Sequence, residues 1–463
     1  MFAPPRPERA GHDLAMAPRL PPTSLTATQL REGIGRGLNS ALDAAEAAIA
    51  RIEEREPEVG AWAFFDPELA RARARDLDAL RASGRPTGPL HGVPVALKDI
   101  IDTNDMPTEC GTVLEAGRRP RADAVITGRL RAAGALILGK TVTTELATYA
   151  PGRTRNPHNR AHTPGGSSSG SAAAVADTMV PIAIGTQTNG SVIRPAAFCG
   201  VVGFKPSFGL VPRTGILIQS PSLDTVGVFA RDIADAALVG DVIAGCDRGD
   251  RASAGATAPG LAALAASRPP VTPALAFVKS PVWERADAET GEAFAELAEE
   301  LGGIDETALP EPFGEALKWH RAIMLSEMAH HYRRYAERGR DRLSPLLADM
   351  IDEGRAIAAH DYLLARDWQR LLAAALDAFF DSFDAIITPA APGPAPEGLG
   401  STGDPAFCTI WQLCGAPSVT LPLLTAGNGL PMGVQVVGRR GLDGRLLRTA
   451  SWIAARLNGE EHQ

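Results

Sequence analysis

TPGGSSSGSAAAVADTMVPIAIGTQTNGSVIRP, residues 163–195, decides how the rest of the chain is read. Gly165 and Gly166 put backbone freedom where a tight turn is needed, and SAAAVAD then starts a helix whose small side chains allow close packing on a sheet. VPIAIGT follows as a short apolar run of strand length, and QTNGS leaves it as a loop of small residues. Turn, helix, buried strand and loop in that order make an α/β unit. The stretch carries Ser167, Ser168, Ser169, Ser171 and Ser191, while the nearest histidines, His158 and His162, lie before it. The serine that does chemistry, and the group that activates it, must be found by looking outward.

Upstream, LTATQLREGIGRGLNSALDAAEAAIARIEE has helical periodicity with a glycine break, and Ser40 is placed to cap a helix from Ala41 through Ile52. A charged helix is predicted over Pro67 to Ala82, a strand in VPVALKDI, and helix, Gly turn and strand in AVITGRLRAAGALILGKT. Downstream, ALAFVKS is a strand, Asp287 to Leu301 a helix stopped by Gly302 and Gly303, and 311–380 largely helical. DAIITPAA, APSVTLPL and LPMGVQVVGRR add late strands before a closing helix at LLRTASWIAARL. These late strands are expected to complete the same sheet, giving one compound α/β domain over 23–460 with a helical variable insertion at about 285–380. Residues 1–22 are expected to form a disordered arm.

The chain of 463 residues has a formal net charge of -8, with 45% hydrophobic and 22% charged residues, so a globular body is expected. No basic run is long enough to track phosphates, which argues against direct nucleic-acid binding. Cys110, Cys199, Cys246, Cys408 and Cys414 are scattered without metal-ligand spacing, and no membrane-length apolar run occurs. The expectation is a cytoplasmic protein with no cofactor and no metal. Its partners would be a small molecule and, at most, a second copy of the chain.

Two motifs match in letters only. GALILGKT, Gly134 to Thr141, fits the phosphate-loop pattern, but Ala-Leu-Ile-Leu between the glycines is a buried strand and cannot turn its N–H groups toward phosphate. GSSSG, Gly166 to Gly170, fits the nucleophile elbow around Ser168, but no apolar strand precedes it. His320, His330, His331 and His360 lie in the helical region, where packing or surface positions are expected. What remains is Lys98 at the end of an apolar strand core, where desolvation favours the neutral amine, together with the Gly-Ser turn at 165–168 and the Thr-Asn-Gly-Ser turn at 188–191. Such loops can offer several N–H groups to a developing oxyanion while a serine attacks.

PGGSSSGSAAAVA, GTQTNGSVIRPAAFCGVVGFKPSFG, LHGVPVALKDI, GALILGKTVTTELA, SFDAIITPAAPGPAP and GAPSVTLPLLTAGNGLPMGVQVVGRRGLDGRLL together resemble the ordered blocks of the amidase signature family, from about residue 25 to 458. The resemblance implies a large mixed β-sheet flanked by helices on both faces and hydrolysis of C–N acyl bonds by a Ser-cisSer-Lys triad. Carried over, Ser191 would be the nucleophile, Ser167 the bridging serine after a cis peptide, and Lys98 the base. The backbone of Thr188, Asn189, Gly190 and Ser191 would form the oxyanion hole. Gly166, Ser168, Gln187 and Arg194 would support it.

The family pattern G-T-D-x-G-G-S-[IL]-R-x-P is altered here: Gln187 stands at the acid position, Asn189 replaces a glycine, and Arg194 is displaced by one residue. If the acid and arginine normally pair, both ends have changed together, and a rebuilt support is expected. A substrate pocket is expected from Trp319, Met324 and Met328 with Phe407 and Trp411, and its apolar character points to small neutral aryl or alkyl amides. Carbamate (urethane) hydrolysis by the same attack, the glutaminase-type subunit of a tRNA-dependent amidotransferase, and a non-catalytic binding protein on the same scaffold are the alternatives.

Overall fold

The computed structural model describes residues 21–257, 259–302 and 304–459. Among them one 11-stranded mixed sheet gathers β1 (Trp62–Phe65), β2 (Pro94–Lys98), β3 (Leu136–Thr141), β4 (Ile182–Gln187), β5 (Val202–Lys205), β6 (Thr225–Ala230), β7 (Leu275–Val278), β8 (Asp305–Thr307), β9 (Ala385–Pro389), β10 (Ser418–Thr425) and β11 (Pro431–Val437). Their order across the sheet is β1-β3-β2-β4-β6-β5-β10-β11-β9-β7-β8. β2 runs parallel to β3 and β4, and β7 parallel to β8 and β9, while the other pairings are antiparallel. The late strands β9 to β11 thus lie in the same sheet as β2 and β4.

Both faces are covered, and the two-residue period of a strand explains how. Val95, Leu97, Ile182, Ile184, Val226 and Val228 join one packed cluster, with the helices Ile233–Ile243 and Asp443–Leu457. The alternate positions Ala96, Ala183 and Phe229 join a second cluster, with Ala172–Val175 of the helix Ser169–Ala176. Small side chains on both partners let that helix approach closely. Gly170 shows how closely: a Cβ there would lie 2.2 Å from the Ala61 carbonyl oxygen.

Most expected elements stand where the sequence placed them. Ser40 caps the helix Ala41–Val59 reciprocally with Asp43, and the helix Pro67–Ala82 has its predicted bounds. GALILGKT is the buried strand β3. Two expectations change. The expected arm reaches Pro22, yet Pro22–Ser24 forms a short 3-10 turn, and Arg231 donates to the Thr23 and Leu25 carbonyls just beyond it; residues 1–20 lie outside the described residues. The span 285–380 is not all helix: after the helix Ala288–Glu300 it contains β8 at the sheet edge, and the helices Ala316–His331, Arg333–Gly339, Pro345–Ala356 and Ala359–Phe379 follow. No helix among the described residues is long and apolar enough to cross a membrane.

Candidate active site

Parallel pairing of β2 with β4, Leu97 opposite Ile184, brings the carboxyl ends of both strands together. Lys98 is the last residue of β2, and its Nζ lies 2.7 Å from Ser167 Oγ and 2.9 Å from Thr186 Oγ1. The side chain is wholly buried, and that burial pushes its pKa down to about 7 against the opposing pull of Asp224. The Gly166–Ser167 peptide is cis. Its own carbonyl, that of Gly166, is held by Arg194 Nη2 at 2.8 Å, and the next one, that of Ser167, by the Thr144 N–H at 3.1 Å.

Ser191 sits in the loop that leaves β4, half-buried, and its hydroxyl makes no hydrogen bond among the described residues. The backbone N–H groups of Thr188, Asn189, Gly190 and Ser191 also have no acceptor among the described residues. The loop is nevertheless fixed from behind. Thr188 Oγ1 donates to Asp224 Oδ1 at 2.6 Å, and His320 Nε2 donates to the Thr188 carbonyl at 2.9 Å. Asn189 donates to the Tyr149 hydroxyl at 3.1 Å and accepts from Thr409 at 2.8 Å. N–H groups without a protein acceptor, in a loop that also carries a hydroxyl, are available to receive an anion.

The supporting residues divide cleanly. Ser168 exchanges hydrogen bonds with the Thr186 carbonyl and N–H at 3.2 and 3.3 Å, tying β4 to the helix that begins at Ser169. Gly185 makes room for it, since a Cβ there would lie 2.6 Å from the Ser168 hydroxyl. Gln187 Oε1 accepts from the N–H groups of Val192 and Ile193 at 2.8 and 3.0 Å, and its Nε2 reaches Gln412 Oε1 at 3.1 Å. Arg194 does not meet Gln187; it is fully buried and holds the Gly166 carbonyl and Thr402 instead. The altered acid and arginine positions therefore carry two separate tasks. A neutral amide satisfies the first N–H groups after the nucleophile loop, and the arginine braces the turn bearing Ser167.

A cavity of about 400 Å³ opens beside Asn189, lined by Tyr149, His320, Met324, Asp404 and Thr409, with Arg285, Lys318 and Arg321 at its charged side. Of the five expected pocket residues, only Met324 lines it. Trp319 stacks on Trp368 at 5.6 Å, Met328 and Trp411 are buried in the main core, and Phe407 packs with Val282. Helical spacing of large apolar side chains here reflects packing, and the cavity is more charged than the sequence suggested. The sequence reading also missed Thr186, Tyr149, Asp224, His320 and Thr409. Thr186 was within reach, lying on the strand that delivers Ser191; the others come from distant loops and helices and carry no local signal.

The family model described as Amidase matches residues 43–447. The chain belongs to the amidase signature family. A relative from Symbiobacterium thermophilum, named as a subunit of glutamyl-tRNA(Gln) amidotransferase, is 36% identical over 476 aligned positions, covering 92% of this chain and 95% of that one. Among solved structures, one from a vestigial protein complex that reveals the evolutionary origins of an s-triazine catabolic enzyme superposes with a TM-score of 0.87 at 28% identity, covering 93% and 98% of the two chains. Native peptide amidase from Stenotrophomonas maltophilia gives 0.82 at 30% identity, covering 94% and 97%. The amidase signature fold and an amide-cleaving or amidotransferase class follow from this membership.

Proposed function

We propose that this protein hydrolyses the C–N bond of a small amide through an acyl-enzyme on Ser191, with Ser167 as relay and Lys98 as base. The observation that carries the reading is the 2.7 Å contact of a wholly buried Lys98, poised near pH 7, with the Ser167 hydroxyl. Neutral Lys98 takes the Ser167 proton as Ser167 takes that of Ser191, and Ser191 Oγ bonds to the substrate carbonyl carbon. The carbonyl electrons move onto oxygen, which the N–H groups of 188–191 receive. Collapse breaks the C–N bond, and the proton returns through Ser167 to the departing nitrogen. Water then cleaves the ester by the same relay and restores Ser191. The Ser167 to Ser191 link is the one that must tighten with substrate, as such bonds commonly do.

Asp404 and three cationic side chains line the cavity, each already paired within the protein, Arg285 with Asp404, Lys318 with Glu315 and Arg321 with Glu353. Hydrogen-bonding groups such as His320 and Thr409 are therefore what it offers a polar substrate. Relatives named as components of an amidotransferase make glutamine the first amide to test. Ammonia release from glutamine, a peptide amide and an anilide is measured with the single chain, with Ser191→Ala as control. Ser191-dependent turnover supports the reading; turnover that survives Ser191→Ala sinks the mechanism. Glutamine turnover that appears only on adding a partner chain would favour the alternative in which the chain serves an amidotransferase.

A further inference from the structure

His320 was expected to be a packing histidine, yet it touches the loop that carries the nucleophile. Its ring is 1% exposed, and Nε2 lies 2.9 Å from the Thr188 carbonyl. A carbonyl oxygen only accepts, so Nε2 carries the hydrogen. Burial holds the imidazole neutral, its pKa pushed down to about 4, and Nδ1 is therefore a bare lone pair. Nδ1 has no donor among the described residues and is not among their sealed, unpartnered polar atoms, whereas both ring nitrogens of His91 are. His320 is instead one of the residues that line the cavity beside Asn189, as is Asp404.

We infer that His320 is a substrate-reading residue: Nδ1 accepts an N–H from an amino group on the part of the substrate remote from the scissile amide. This rests on the amide-hydrolase reading of the site. One imidazole would then join two events, since the same ring that receives the amino group also holds the Thr188 carbonyl and so the oxyanion loop. Asp404, on the same cavity, accepts the Ala406 N–H with one oxygen and pairs with Arg285 through the other. With that carboxylate already paired, His320 supplies the directional acceptor.

The test compares glutamine with glutaramate, which is glutamine lacking the α-amino group, in one preparation of each variant, so that the ratio of kcat/KM is independent of the folded fraction. In His320→Phe the preference for glutamine is expected to fall about tenfold or more, chiefly through KM, because a site built to pair an N–H discriminates strongly against its absence. His320→Gln, which keeps a donor and an acceptor, should restore part of the preference. Equal losses on both amides in His320→Phe would reduce His320 to a prop for Thr188 and overturn the inference. Ser191→Ala protein, which retains His320, provides the check if the His320 variants do not fold: glutamine should shift an imidazole Nδ1 nitrogen resonance and glutaramate should not, and identical spectra overturn the inference. Ser191-dependent turnover of the peptide amide or the anilide with none of glutamine or glutaramate overturns the inference alone, whereas no Ser191-dependent turnover of any of these amides overturns the proposed function, and the inference with it.

Discussion

Lys98 and Lys205 are both fully buried, and burial pushes both down to about pH 7. Their surroundings differ in one chemical respect. Lys98 meets two hydroxyls, Ser167 and Thr186, and a hydroxyl can give a proton as well as accept one. Lys205 meets the carbonyl oxygens of Pro206, at 3.1 Å, and Ala416, which only accept. Among the described residues those carbonyls are the hydrogen-bond partners of Lys205 Nζ and neither can give a proton, whereas neutral Lys98 can draw the Ser167 proton. Lys140, one strand away on β3, is a third buried lysine and also meets a hydroxyl, that of Thr108, at 2.6 Å beside the Ile101 carbonyl at 2.6 Å, but the Asp99 carboxylate at 3.7 Å favours its charged form. A depressed pKa makes an amine available; the identity of its neighbours decides whether it can act as a base.

The sharpest way to break this contrast is to replace each lysine by methionine. Lys98→Met is expected to lower kcat about 10³-fold, within the range of a lost general base, while Lys205→Met keeps kcat within about twofold. Comparable losses in both variants would mean that loss of a buried lysine, not loss of the hydroxyl partners, accounts for the effect. A smaller effect is expected in the pH profile. Lys98 must be neutral to act, so kcat/KM should rise with unit slope below about pH 7 and level off above it. Asp224 raises the Lys98 pKa, so Asp224→Asn, which keeps an oxygen for Thr188, should move that limb to lower pH. A limb that stays in place under Asp224→Asn would assign the titration to another group.

The same contrast explains what was legible in the sequence. Lys98, Ser167 and Ser191 stand out because the apolar strand, the glycine turn and the small-residue loop each leave a local pattern. β2, β3, β4 and β7 were readable as apolar runs, and β9 to β11 likewise. β5 and β6 were not singled out: VGFK and TVGVFA are short, contain glycine, and gain their strand character from pairing with each other. The charged cavity was unreadable because Tyr149, His320 and Asp404 converge from three segments. The task of Gln187 was unreadable for a related reason. Its partners, the Val192 and Ile193 N–H groups, are close in sequence, but Gln412 arrives from 225 residues away. The apolar helix positions misled, since a period of 3.6 marks burial without saying whether the buried face meets core or substrate.

The smallest expected effect concerns stability. An unfolded chain holds the Lys205 proton up to its ordinary pKa of 10.5, while the folded protein releases it near 7. Between those values the unfolded state binds more protons, so the linkage makes stability rise with pH, by up to about 1.4 kcal/mol per pH unit for each such lysine. Lys98 and Lys205 both contribute in this window, and the contribution ends once the unfolded lysine also loses its proton. Lys205→Met removes one of the two. Denaturant unfolding at pH 7.5, 8.5 and 9.5 should therefore give the variant a slope shallower by about 1.4 kcal/mol per unit, with turnover unaffected. An unchanged slope would mean that Lys205 stays protonated on its two carbonyls throughout, and the comparison with Lys98 would then rest on different charge states as well as different neighbours.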